Sequence, residues 1–236
     1  MDEKLEEALA SLKCRLDNYD YKAFADYVAA VDFTQIKPDF LDPPNNVYMS
    51  REERKEQIAE WTAKIEKEPN DSFLLLQRGC AYHLFGWEKD HSPDDFDKAI
   101  ADFNAALKIK PDYPYYLEHR AMVYYYKKEY DKAIADYTTI LNTKQGEHEV
   151  NPNTFAECLF DRGRAYHCKD DYDNAIADYT AAPIQDEDLI WRGLAYACKK
   201  EYDKAIADLQ KASQIDYYYT EMAKALLQKV REQAKL

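Results

Sequence analysis

The eight-residue stretch Tyr-Asp-Lys-Ala-Ile-Ala-Asp-Tyr stands whole at Tyr130 to Tyr137. It returns, lightly changed, at Phe96 to Phe103, Tyr172 to Tyr179 and Tyr202 to Leu209. Starts at 96, 130, 172 and 202 leave gaps of 34, 42 and 30 residues. A period of about 34 residues is that of a helix-turn-helix unit. The longer gap reads as that period with an eight-residue insertion, and the shorter as one cut by four. A second motif precedes each copy: Arg78 to Tyr82, Arg120 to Tyr124, Arg162 to Tyr166 and Arg192 to Tyr196. A unit this small cannot bury an apolar face alone, so registered copies must stack on their neighbours.

The Arg of the second motif and the second Asp of the first lie 16 residues apart in three copies: Arg120 and Asp136, Arg162 and Asp178, Arg192 and Asp208. In the first copy, Arg78 and Asp102 are 24 apart. The excess equals the insertion between them, so the pair keeps its register. This predicts a repeated ion pair between two helices, for which the forked guanidinium suits a carboxylate. A ligand-binding role for the four Arg is the other reading.

These residues resemble the tetratricopeptide repeat. The small position of that pattern is Gly79, Ala121, Gly163 and Gly193, followed by Tyr82, Tyr124, Tyr166 and Tyr196. On the second helix come Ala99, Ala133, Ala175 and Ala205, then Phe103, Tyr137, Tyr179 and Leu209. The second Ala is Ala106, Ala182 and Ala212, with Ile140 in the remaining copy, and only Pro111 matches the closing Pro. The resemblance spans residues 70 to 218. It implies an all-α, right-handed α-solenoid of antiparallel helix pairs with a C-terminal capping helix. A fold of this kind hosts many tasks.

In order, residues 1 to 31 read as a degenerate first repeat. Residues 32 to 49 form a Pro-rich loop with Pro38, Pro43 and Pro44. Its apolar residues, Phe33 among them, suggest that it packs on the array in place of a missing helix; a lid over the groove is the alternative. Ser50 and Glu53 form a capping box, and residues 50 to 69 form one helix of a second degenerate repeat. Residues 70 to 216 hold the four clear repeats, and 217 to 236 the capping helix. The insertions lie near Trp87 and His148.

The formal charge of −13 repels phosphate, so nucleic-acid binding is not expected and a basic partner is favoured. Five cysteines without Cys-x-x-Cys read as free thiols in a reducing compartment. The acidic start lacks a secretory signal, and no run is long enough to span a membrane. The chain reads as cytoplasmic. Acidic pairs at helix starts answer the orphan N–H groups there, and no calcium loop occurs. The histidines form no metalloprotease or nucleophile motif. No cofactor, structural metal or catalysis is expected.

The resemblance implies a partner groove lined by the first helix of each repeat. Carried over, its positions are Phe73, Leu76, Cys80 and His83, then Tyr115, Glu118, Met122 and Tyr125. The third repeat gives Glu157, Phe160, Arg164 and His167, and the fourth Glu187, Ile190, Leu194 and Ala197. His83 and His167 hold one register position and could touch a partner or line the wall. The Lys/Asn/Arg clamp that some relatives use for a C-terminal carboxylate is missing. The expected function is a non-enzymatic scaffold or adaptor that holds an amphipathic, basic protein or peptide segment. A holding chaperone for a secreted or assembling client is the alternative.

Overall fold

A computed structural model describes residues 32–35, 51–85, 93–143, 152–182, 186–214 and 220–235. The degenerate first repeat, most of the Pro-rich stretch and the tips of both insertions lie outside the described residues. The chain divides into two compact units. One is residues 44–158; the other joins residues 1–43 to 159–236. The fold is an all-α helical repeat, with no strand among the described residues.

In the first unit, α1 (Arg51–Lys67), α2 (Ser72–Phe85), α3 (Pro93–Ile109), α4 (Pro114–Tyr126) and α5 (Tyr130–Asn142) each pack on the next. The unit boundary falls within α6 (Pro152–Cys168). In the second unit come α7 (Tyr172–Ala181), α8 (Asp186–Cys198), α9 (Tyr202–Ala212) and α10 (Thr220–Ala234). There too, each packs on its successor. A single 3-10 turn, Phe33–Gln35, rests on α8.

Local chemistry sets the helix limits. The Asp71 carboxylate accepts from the backbone N–H groups of Phe73 and Leu74, at 2.8 and 3.3 Å. That satisfies donors which the first turn of α2 leaves without partners. Pro114 opens α4, where a missing N–H costs nothing. The helices α4, α6 and α8 end alike, each with a left-handed residue: Lys128, Asp170 and Lys200, with φ of 61°, 62° and 62°. The following N–H groups, of Glu129, Asp171 and Glu201, donate to the carbonyls of Tyr124, Tyr166 and Tyr196 at 2.8, 3.0 and 2.9 Å. This is the Schellman arrangement, in which glycine is the usual left-handed residue. Here Lys or Asp takes the position, which sequence reading missed.

The small residue of each repeat has a steric cause. A Cβ on Gly79 would sit 2.6 Å from Cε1 of Phe103, and one on Gly163 would sit 2.8 Å from Cε1 of Tyr179. At Gly193 the obstacle is Cγ of Leu209, at 2.9 Å. The bulky residue of the second helix therefore presses on the first helix's backbone, and Phe103, Tyr179 and Leu209 are fully buried there.

All four ion pairs form, each bidentate. Arg78 donates through Nε and Nη2 to Asp102 at 2.8 and 2.7 Å. Arg120 does so to Asp136 at 2.8 and 2.6 Å. Arg162 does so to Asp178 at 2.8 and 2.7 Å, and Arg192 to Asp208 at 2.7 and 2.8 Å. The spare Nη1 reaches back to the preceding repeat in three cases. It meets Thr62 from Arg78 at 3.2 Å, Asn104 from Arg120 at 2.6 Å and Thr180 from Arg192 at 3.3 Å. Each Arg thus ties its own second helix to the one before. The polar residue two places after the Asp, Asn104 or Thr180, is the sequence signal for that third contact.

The last helix ends the array as its pattern requires. Met222, Ala223, Leu226, Leu227 and Val230 of α10 are buried, whereas Lys224, Gln228 and Arg231 are exposed.

Candidate protein-binding face

The first helix of each repeat carries the residues that the repeat pattern assigns to a partner, and the two units treat them differently. In the unit of residues 44–158, α2 and α4 touch. Their matching positions in the first turn are Phe73 and Tyr115, 56% and 51% exposed. An exposed large aromatic costs solvation unless something covers it, so a pair at one register position is a docking signal. The next turn brings Cys80, Glu118 and Met122, all partly exposed. Leu76, His83 and Tyr125 are buried and form the support. Glu157, on the α6 portion in this unit, is exposed.

Phe155 adds a further aromatic, 41% exposed, two residues ahead of Glu157. The four-position pattern cannot reach it. Its signal is that α6 begins at Pro152, eleven residues before its small residue, whereas α2 and α4 begin seven before theirs. The extra turn presents Phe155.

Beneath Tyr115 lies a polar cluster. The Tyr115 and His119 rings meet edge-on with centroids 4.6 Å apart, and His119 stacks on Phe103 at 6.0 Å. The Cys80 Sγ lies 3.7 Å from Nδ1 of His119. A cysteine beside a histidine raises the question of a nucleophile. Burial answers it, pushing the Cys80 thiol up to about 12 and the His119 imidazole down to about 4. Both are therefore neutral at pH 7, and the pair holds neither thiolate nor imidazolium. Burial also raises the Tyr115 hydroxyl, with Cys80 and Glu118 adding to the effect. The Tyr116 hydroxyl donates to Ser72 Oγ at 2.9 Å and fastens α4 to α2.

In the other unit the corresponding side chains are largely interior. Ile190 and Leu194 are fully buried, as are His167 and Arg164. His167 meets Tyr172 and Trp191 edge-on at 5.2 and 6.0 Å. The Arg164 guanidinium lies over the half-buried Phe160 ring at 5.7 Å and donates to Asp161 at 3.2 Å. Glu187 stands in the first turn of α8. Repeat register alone cannot tell these residues from Phe73 and Tyr115, because the pattern is the same and only the covering differs.

Among the described residues no three His, Cys, Asp or Glu side chains gather as a metal site. Cys80, Cys158, Cys168 and Cys198 are unbridged. No helix among the described residues is long and apolar enough to cross a membrane.

Paired helices at a 34-residue period, with a small residue under a bulky one, define a helical-repeat protein. The profile of the tetratricopeptide repeat matches residues 74–113, and the chain is a tetratricopeptide-repeat protein. No curated protein sequence matches it. Among solved structures it is similar to MamA, at 18% identity and a TM-score of 0.58, covering 74% of this chain and 87% of that one. It is also similar to the apo form of RapI, at 14% identity and a TM-score of 0.59, covering 99% and 72%. A chain of the APC/C hetero-tetramer Cut9–Hcn1 matches at 17% identity and a TM-score of 0.59, covering 96% of this chain but 40% of that one. At such identities the likeness speaks for the fold alone.

Proposed function

We propose that the chain is a non-enzymatic scaffold which holds a protein or peptide segment on the exposed face of residues 44–158. Phe73 and Tyr115, repeated in register and open to solvent, carry this reading. Aromatic anchors supply much of the energy of a typical interface. Glu118 and Glu157 beside them, in a chain of formal charge −13, favour a basic, amphipathic partner. The neutral Cys80–His119 pair supports a binding role over catalysis, since it lacks the charged nucleophile such chemistry uses. Buried positions such as Tyr125 and Leu76 hold the face in place.

The test is site-directed photo-crosslinking. A benzoylphenylalanine in place of Tyr115 should capture a discrete protein from native lysate. The same residue in place of Lys108, exposed on α3 of the same unit, should not. Equal yield from both positions would remove the face from consideration.

A further inference from the structure

The second unit holds an apolar side chain far from its own neighbours in sequence. Phe33 is only 3% exposed, although it belongs to a 3-10 turn of three residues. A turn that short has almost no core of its own, and the burial comes from α8, on which it packs. Phe33 shares one apolar cluster with Ile190, Leu194, Met222 and Leu226. Ile190 and Leu194 are positions that the repeat pattern gives to a partner. The Lys229 ammonium of α10 lies 5.5 Å from the Phe33 ring centroid, a cation–π distance.

The residue beside it supplies a charge. The Asp32 carboxylate accepts from the Thr34 N–H and hydroxyl at 3.0 and 2.9 Å, which shapes the turn that presents Phe33. Those bonds hold its carboxyl below the usual range, with Lys229 and Lys200 contributing through their charge. An inserted ring with a carboxylate next to basic side chains is how a short bound peptide is recognised.

We propose that the fourth repeat is a second peptide site, specific for an aromatic residue next to an acidic one, and that the chain's own Asp32–Phe33 occupies it in cis. An external segment of that chemistry binds there only when the resident pair leaves. The site differs in place and in charge preference from the face on residues 44–158, and the inference does not rest on that reading.

Occupation from within lowers the apparent affinity for a competitor by the fraction of time the site stands open. The probe is a fluorescein-labelled synthetic peptide of residues 27–40, titrated into the full chain and followed by anisotropy. Phe33→Ala and Asp32→Lys should each tighten its binding by about tenfold or more over wild type. Asp32 is exposed, so the second variant tests the proposal even if the first fails to fold. A peptide carrying Phe33→Ala should not saturate any of the three chains. Equal affinity for wild type and both variants, or no binding to either variant, would make Phe33 a mere strut and overturn the proposal. A halving of mass in sedimentation on Phe33→Ala would also overturn it, because the segment would then be exchanged between two copies.

Discussion

Cys80 and His119 show how burial rather than pairing decides charge. A base held down to about 4 in the folded chain returns to about 6.5 when unfolded. The unfolded state then binds more protons between those values, so stability falls as pH drops from about 6.5 toward 4. His83, depressed by burial to about 3, acts in the same direction. Thermal unfolding should show a midpoint that declines through this window. His119→Gln should remove a share of the decline worth roughly 2–3 kcal/mol, since one pK unit is about 1.4 kcal/mol. An unchanged slope would mean that His119 is not neutral inside the fold. Gly79 makes a different residue-scale case. Alanine favours helix by about 1 kcal/mol over glycine, but its methyl would meet the buried Phe103 ring at 2.6 Å. Gly79→Ala should therefore destabilise by about 1–3 kcal/mol, the usual cost of overpacking. Denaturant midpoints would show it, and Phe103→Leu should relieve part of the loss.

At the scale of the element, the Arg–Asp pair pins each helix hairpin. Removing Arg120 strands the buried Asp136 carboxylate, whose pKa burial already pushes up while Arg120 pulls it down. Arg120→Ala should cost about 3 kcal/mol in urea unfolding, and replacing both partners by apolar residues should recover much of it. A loss below about 0.5 kcal/mol would place the pair with ordinary surface bridges. These hairpins were legible in the sequence because their register is local: Arg and Asp sit 16 residues apart, and the insertion accounts for the one exception. The capping helix was legible too, from the spacing of Met222, Leu226 and Val230. The left-handed turns at Lys128, Asp170 and Lys200 were not, because glycine, their usual marker, is missing there. Nor was the contrast between exposed Tyr115 and buried Ile190. Covering is decided by residues remote in the chain, as Phe33 on α8 shows, and repeat register carries no record of them.

For the whole molecule, the account makes one surface the reason for the rest. Helices are registered by ion pairs and steric fit so that Phe73 and Tyr115 stand open on neighbouring first helices, within an acidic chain. The direct measurement is quantitative affinity capture from native lysate, comparing wild type with the Phe73→Ala/Tyr115→Ala double variant at two salt concentrations. Both side chains are more than half exposed, so the variant should keep its helical signal and thermal midpoint. The account predicts that the specific partner falls by tenfold or more in the variant, each anchor being worth about 1–3 kcal/mol. It also predicts weaker capture by wild type at high salt, where the acidic contribution is screened. Undiminished capture of the same partner by a folded double variant would contradict it.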